Sequence, residues 1–224
     1  MINSPLVIPY LKKNKKYILV DFNTMKPISE IEYDEYYDFD GFGESYQLEG
    51  YKLKSNKKWG YITKNGTAII PFIYDNICFE KDNYFSVAID NKYGLVNTDG
   101  QSVIPIKYDF LTMNKYNNII IGNNEKYGVV NLNNEQLIPL IYDEIFQLTQ
   151  NLFTVYINNK FGVINLNGNK IVEPKYDMVS IVNGILTAEI NGWTFYINQN
   201  GNEYLEADFD FTVQKHEYNI ENIF

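Results

Sequence analysis

Short apolar runs alternate with polar, turn-forming residues along most of the chain. The stretches 84–89 and 94–97 are typical: they are rich in aromatic and β-branched residues, and each predicts a β-strand. The polar residues Asp90, Asn91 and Lys92 separate them, and a short polar break between two such runs predicts a β-hairpin. The pattern therefore indicates antiparallel strands joined by tight turns.

A second turn and a third strand follow in the same unit. The turn is Thr98-Asp99-Gly100, where glycine accepts a positive φ without a Cβ clash, and the strand is 102–104. Pro105 cannot donate to a β-ladder, so this strand ends there or lies at a sheet edge. We therefore expect three-stranded units, each followed by a corner at a Tyr-Asp pair.

The unit recurs with a constant period. Four aromatic-Gly pairs are evenly spaced along the chain, at Trp59-Gly60, Tyr93-Gly94, Tyr127-Gly128 and Phe161-Gly162. The similarity extends over the segments 58–77, 92–111, 126–145 and 160–179. A degenerate fifth copy runs from Trp193 to Phe211, and a fainter one opens at Lys16-Tyr17 and closes at Tyr33-Asp34. Irregular end units are typical of repeat arrays.

This motif closely resembles the WG-repeat family, whose units read aromatic-Gly, two apolar residues, Asn or Asp, a glycine turn, two aliphatics, Pro and Tyr-Asp. The resemblance covers roughly residues 50–211, and more weakly 5–34. Asn134 replaces the turn glycine in the third copy, Pro174 is shifted by one position in the fourth, and Thr194-Phe195 replace aromatic-Gly in the fifth. The resemblance implies a binding role and brings no catalytic motif with it.

The predicted fold class is all-β, with tandem repeats of about 34 residues in an open solenoid-like or superhelical array. The alternative is a closed β-propeller, whose units usually run to about 40 to 45 residues with four strands. The shorter repeat of this chain leaves little room for a fourth strand, which favours the open array. We expect a degenerate N-terminal repeat or cap at 1–49, the repeat array at 50–211, and a C-terminal tail or cap at 212–224.

The recurring residues predict specific roles. Glycine after the aromatic residue allows another backbone or ring to approach closely, while the aromatic ring and the corner tyrosine pack between neighbouring units. The corner aspartate is expected to accept a backbone N–H at the next turn. The alternative is a functional row of carboxylates, formed by Asp75, Asp109, Asp143, Asp177 and Asp210.

Charge and composition exclude several classes of protein. The 19 basic residues, all lysines, against 28 acidic ones give a net charge of −9, which disfavours nucleic acid as a partner. Cys78 is the only cysteine and His216 the only histidine, so an internal disulfide and the usual protein zinc sites are excluded. Cys78 occupies an apolar strand position and is expected in the core. We predict no enzyme activity, no cofactor and no metal site.

The segment 30–51 differs from the repeats, because it carries eight carboxylates and no lysine before Tyr51. Aromatic residues lie between these carboxylates, a combination that suits a basic protein surface. The alternative is that the segment is a solvated loop with no binding role. The spacing of the carboxylates around Gly41 does not fit a calcium-binding EF-hand. The predicted partner-binding residues are Tyr33, Glu35, Tyr36, Tyr37, Asp38, Asp40, Phe42 and Glu44.

The sequence as a whole favours a non-catalytic protein-binding module for a basic partner, for example a bacterial immunity or inhibitor protein. The alternative is a carbohydrate- or cell-envelope-binding protein that uses rows of exposed aromatic residues. The lysines follow the first apolar stretch rather than precede it, and no apolar run approaches the length of a spanning helix. We therefore expect no membrane insertion and a cytoplasmic location.

Overall fold

The computed structural model describes residues 6–39, 49–81, 83–182, 184–198 and 201–205. Over this part of the chain, every regular element is a β-strand. No helix in it is long and apolar enough to cross a membrane. The chain divides into two compact units, Met1–Met113 and Asn114–Phe224. The predicted tail at 212–224 and the degenerate corner Phe209-Asp210 lie outside the described residues.

The described part of the first unit contains eleven strands. They are β1 (Val7–Leu11), β2 (Tyr17–Asp21), β3 (Glu35–Phe39), β4 (Gly50–Ser55), β5 (Lys58–Thr63), β6 (Ala68–Tyr74), β7 (Asn76–Phe79), β8 (Tyr84–Ile89), β9 (Lys92–Asn97), β10 (Ser102–Tyr108) and β11 (Phe110–Met113). Strands β1 and β2 form a two-stranded sheet, and β3 to β6 and β7 to β10 form two four-stranded sheets.

The second unit continues the same series, with eleven further strands among its described residues. They are β12 (Ile119–Asn123), β13 (Lys126–Val130), β14 (Gln136–Tyr142), β15 (Glu144–Gln147), β16 (Leu152–Ile157), β17 (Lys160–Asn165), β18 (Lys170–Tyr176), β19 (Met178–Val182), β20 (Ile185–Ile190), β21 (Trp193–Ile197) and β22 (Glu203–Leu205). Strands β12, β13 and β14 are antiparallel neighbours, and β15 to β18 and β19 to β22 form four-stranded sheets.

The predicted all-β class and the tandem repeats are confirmed, but each complete sheet has four strands rather than three. The additional strand follows directly after the Tyr-Asp corner, as β7 does after Asp75 and β15 after Asp143. It is only four residues long in both cases. A repeat of this length therefore does accommodate a fourth strand, and the prediction of three-stranded units is wrong. Each complete sheet is open, with two edge strands, and does not close into a barrel.

Both predicted turns are present and have defined chemistry. The hairpin turn between β8 and β9 holds Asp90 and Asn91 at φ values of 50° and 59°, as a type I′ turn requires. In the following turn, the Asn97 side-chain oxygen accepts hydrogen bonds from the N–H groups of Asp99, at 3.0 Å, and Gln101, at 2.9 Å. Gly100 adopts the positive φ there, at 76°. The short polar segments thus determine where each strand reverses.

The glycine of the aromatic-Gly pair faces a bulge in the last strand of its sheet. A Cβ on Gly128 would lie 2.6 Å from the carbonyl oxygen of Ile138 and 2.9 Å from the backbone nitrogen of Leu140. The pairing register shifts at this point, next to Pro139, and β14 is an edge strand. The predicted close approach is confirmed, and proline is accommodated because the strand is at an edge.

The repeated aromatic residues occupy equivalent positions in their sheets, where Trp59 is buried and Tyr93, Tyr127 and Phe161 are half-buried. The aromatic residue and the corner tyrosine of each repeat are cross-strand partners: Trp59 with Tyr74, Tyr93 with Tyr108, Tyr127 with Tyr142, and Phe161 with Tyr176. The corner tyrosines are buried, and Tyr74, Tyr142 and Tyr176 pack in clusters with residues of the following sheet, as Tyr176 does with Leu186 and Ala188. Burial of each such ring contributes about 1.5 to 3 kcal/mol, so these three tyrosines join successive sheets within each unit.

Candidate partner-binding surface

Strand β3 is the outer strand of its sheet and carries four of the predicted partner-binding residues. It pairs with β4 in a register that places Glu35 opposite Lys54 and Tyr37 opposite Lys52. Because side chains alternate along a strand, Glu35 and Tyr37 lie on one face and Tyr36 and Asp38 on the other. We call Glu35, Tyr36, Tyr37 and Asp38 the β3 surface.

The Tyr36 side of the β3 surface is partly occupied by the chain itself. The Tyr36 ring, 38% exposed, meets Tyr17 edge-on at a centroid distance of 4.8 Å and Tyr51 at 6.4 Å. The carboxylate of Asp38 lies 3.9 Å from the Lys64 ammonium. This face therefore supports the packing of β3 on its neighbours as well as reaching solvent.

The Tyr37 side is more open and combines rings with charges. Tyr37 is 55% exposed, and its ring lies on Trp59 at a centroid distance of 5.6 Å. The Lys54 ammonium is 2.8 Å from the Glu35 carboxylate and 4.9 Å from the centre of the Trp59 ring. An aromatic pair next to a carboxylate is an arrangement that binds cations, and here a lysine of the chain itself is bound.

Lys52 holds a second, more enclosed position below the same rings. Its ammonium lies 4.6 Å from the Trp59 ring and donates hydrogen bonds to the carbonyl of Ile77, at 2.6 Å, and to the side-chain oxygen of Asn76, at 3.0 Å. Burial lowers the pKa of this ammonium. Lys52 therefore links β4 to the first strand of the following sheet.

Four predicted partner-binding residues fall elsewhere. Tyr33 is only 1% exposed and belongs to the core cluster with Val7, Leu19 and Leu53, so its assignment to the binding surface is corrected. Its corner position explains this burial, since the other corner tyrosines are also core residues. The remaining three, Asp40, Phe42 and Glu44, lie outside the described residues.

Lysines from other strands accompany several carboxylates of the acidic segment. Glu32 pairs with Lys12, and Asp34 pairs with Lys16. These hydrogen bonds hold the pKa of both carboxyl groups below their ordinary values. Folding therefore gives this lysine-free segment the counterions that its own sequence lacks.

The corner aspartates have the predicted capping role. In Asp75, one carboxylate oxygen accepts the Asp90 N–H at 2.9 Å, and the other lies 2.6 Å from the Lys58 ammonium. Asp143 and Asp177 make the same contacts with the next hairpin turn and the preceding lysine. These bonds lower the pKa of all three carboxyl groups. The aspartates thus join consecutive repeats, which explains their regular recurrence.

One further expectation changes with the structure. Cys78 is exposed rather than buried, because side chains alternate along β7 and the neighbouring Ile77 takes the core side; the prediction of a core cysteine is wrong. The corner tyrosines are buried, as predicted for residues that pack between neighbouring units. Among the described residues, no group of three or more His, Cys, Asp or Glu side chains could hold a metal ion.

Sequence reasoning missed the lysines and the tryptophan of this surface. Lys52 and Lys54 alternate along β4, where the equivalent strand β8 carries Ser86 and Ala88. This replacement of small residues by lysines was the available signal. The sequence alone did not indicate a role for these lysines, because only the strand register places the two ammonium groups beside Trp59.

Several solved structures resemble this chain at low sequence identity. A eukaryotic initiation factor structure matches with a TM-score of 0.42 and 11% identity over 90% of this chain, which spans 62% of that protein. Hsv2 from Kluyveromyces lactis matches with a TM-score of 0.41 and 9% identity, covering 92% of this chain and 83% of that one. The Pan2 WD40 domain from Neurospora crassa matches with a TM-score of 0.35 and 11% identity, covering 91% of this chain and 75% of that one.

No curated protein sequence matches the chain. The family model described as "WG containing repeat" matches it four times in tandem, at residues 59–93, 93–127, 127–161 and 161–192. Each match begins at the aromatic residue of an aromatic-Gly pair, and together they cover more than half of the chain. The chain therefore belongs to the WG-repeat family.

Proposed function

We propose that this protein is a non-catalytic binding module that recognises a basic protein partner through the β3 surface. The observation that carries the proposal is the exposed Tyr37 ring on an edge strand, supported from below by Trp59 and flanked by the carboxylate of Glu35. An inhibitor or immunity protein that covers a basic toxin would be one example of such a module.

The chemistry of this surface suits lysine- or arginine-rich partners. Rigid aromatic rings supply contact area at a low cost in conformational entropy, and their faces attract cations. The carboxylates and the net charge of −9 favour the approach of positively charged proteins. The following sheet supports the sheet that carries β3, since the two share one core cluster and the Asp75 side chain joins them.

The test measures the binding of a fluorescein-labelled oligoarginine peptide by fluorescence anisotropy. The test variant replaces Glu35, Asp38, Asp40 and Glu44 by their amides. A matched control makes the same change of charge at exposed positions of other strands and turns: Asp99, Glu125, Glu144 and Glu189. We expect the test variant to lose most of the binding and the control variant to keep most of it. Equal loss in both variants would show attraction by net charge alone and contradict the proposal.

A second variant, Tyr37→Ala, tests the ring. We expect weaker binding with unchanged thermal stability, because the ring is more exposed than buried. Raising the salt concentration from about 50 to about 500 mM should weaken binding strongly, since carboxylate steering is screened while ring stacking on sugars is not. Peptide binding that is insensitive to salt and to both variants would contradict the proposal.

A further inference from the structure

Resting on the proposed function, we propose that Lys54 fills a cation-binding site on the β3 surface and that an arginine of the partner replaces it there. The site is the space between the Glu35 carboxylate and the Trp59 ring, with the Tyr37 ring at its outer side. The Lys54 ammonium is 2.8 Å from the carboxylate and 4.9 Å from the ring centre. The Lys54 ammonium thus occupies the position that we assign to the arginine of the partner.

Lys54 is the lysine that a partner can displace. Its ammonium contacts the Glu35 carboxylate and the Trp59 ring, and the ion pair, whose side chains are 26% and 47% exposed, reaches solvent and adds little to folding stability. Lys52, by contrast, donates hydrogen bonds to the Ile77 carbonyl and the Asn76 side chain, both in the following sheet. Replacing Lys54 therefore leaves the fold intact, whereas withdrawing Lys52 would break contacts that join the sheets.

An arginine fits this site better than the lysine that occupies it. The planar guanidinium can donate two parallel hydrogen bonds to the Glu35 carboxylate while its face lies on an aromatic ring. An ammonium makes the same contacts as a compact, strongly hydrated point charge, and it gives up more hydration to do so. The chain contains no arginine of its own, so the guanidinium has to come from the partner.

The experiment compares the affinity of the full-length chain for an oligoarginine peptide with that of Lys54→Gln. The background is Trp193→Phe, which removes an exposed tryptophan and leaves Trp59 as the fluorescent reporter. We expect Lys54→Gln to bind the peptide about 3- to 10-fold more tightly, because the peptide no longer competes with a tethered cation. A larger change of Trp59 fluorescence on binding is expected with it.

Two controls separate site occupancy from net charge. Lys13→Gln makes the same change of charge at an exposed residue of the hairpin between β1 and β2, and should leave the affinity nearly unchanged. Adding Glu35→Gln to Lys54→Gln should abolish the gain, since the carboxylate that receives the guanidinium is lost. Thermal denaturation of each variant checks that the fold is retained.

The outcomes distinguish this inference from the proposed function. If Glu35→Gln and Tyr37→Ala weaken peptide binding but Lys54→Gln leaves it unchanged, the β3 surface binds the peptide and the displacement of Lys54 is overturned. If Lys13→Gln gives the same gain as Lys54→Gln, the effect is one of net charge and the inference is also overturned. If none of these variants changes binding, both the inference and the proposed function are wrong.

Discussion

Lys160 and Asp177 form an ion pair of 2.6 Å that joins the third strand of one repeat to the corner before the next. The other oxygen of Asp177 accepts the N–H of Asn191, 2.9 Å away in the hairpin turn of the following sheet. One side chain therefore connects two consecutive repeats, and Asp75 and Asp143 do the same.

The first prediction concerns the two bonds of this aspartate. Asp177→Ala should lower the midpoint of urea unfolding, because it leaves the Asn191 N–H without its acceptor and Lys160 without its partner. Asp177→Asn retains an acceptor oxygen and should lower the midpoint less. Asp99→Ala, at an exposed turn, is the control and should have little effect. Equal effects of the three substitutions would contradict the capping role.

The second prediction is a loss of stability in acid. The pKa values of Asp75, Asp143 and Asp177 lie below the ordinary value of 3.8 in the folded chain, chiefly because each accepts a hydrogen bond from a lysine. A carboxyl group with a lowered folded pKa stabilises the fold above its unfolded pKa, and this contribution disappears as the pH falls through the folded pKa. Urea unfolding midpoints should therefore fall from about pH 5 downward.

The control for the pH experiment is the triple variant with asparagine at positions 75, 143 and 177. Without these carboxyl groups, its unfolding midpoint should depend less on pH over the same range. If the variant and the natural chain lose stability in parallel, other carboxyl groups cause the acid sensitivity.

The third prediction concerns the aromatic-Gly pair. Gly128→Val should destabilise the fold by several kcal/mol, roughly 3 or more, because its Cβ would lie 2.6 Å from the Ile138 oxygen. Gly192→Asn is the matched control: Gly192 has open space around it, and Asn159 occupies the equivalent turn position with a φ of 61°. Calorimetry should show a large fall in Tm for the first variant and almost none for the second.

The fourth prediction uses the departure from the repeat at Asn134. This residue takes a φ of 59° where Gly100 and Gly168 have 76° and 75°. Within the described residues, its buried side-chain oxygen has no hydrogen-bond partner. Asn134→Gly should therefore leave stability unchanged or raise it by up to about 1 kcal/mol. Asn134→Ala should lower it by about 1 kcal/mol, since alanine disfavours a positive φ. A clear loss of stability with glycine would contradict this interpretation.

The recurring features of the fold could be predicted because each depends on residues close together in sequence. The constant period, the hairpin turns, the close approach at Gly128 and the capping by Asp75 all follow from a motif that is repeated along the chain. The fourth strand was missed because a stretch such as Glu144–Gln147 is short and follows the corner without a break. Its pairing with β16 compensates for its weak local preference.

The binding surface was less predictable, because it depends on contacts between residues far apart in sequence. Glu35 and Lys54 are 19 positions apart and meet only through the register of β3 and β4. The sequence pattern identified the carboxylates and tyrosines of the segment but not the lysines that neutralise some of them. It also could not separate Tyr33, which is buried, from Tyr37, which is exposed.

The spacing of the corner aspartates has a consequence for how such a chain can evolve. Asp75 reaches back 17 positions to its lysine and forward 15 positions to its turn, so both links fall within a single period. Duplication or deletion of one whole period therefore gives every new junction its complete set of links. An insertion of another length between Lys58 and Asp75, or between Asp75 and Asp90, disrupts them, so the number of units can change more easily than their size.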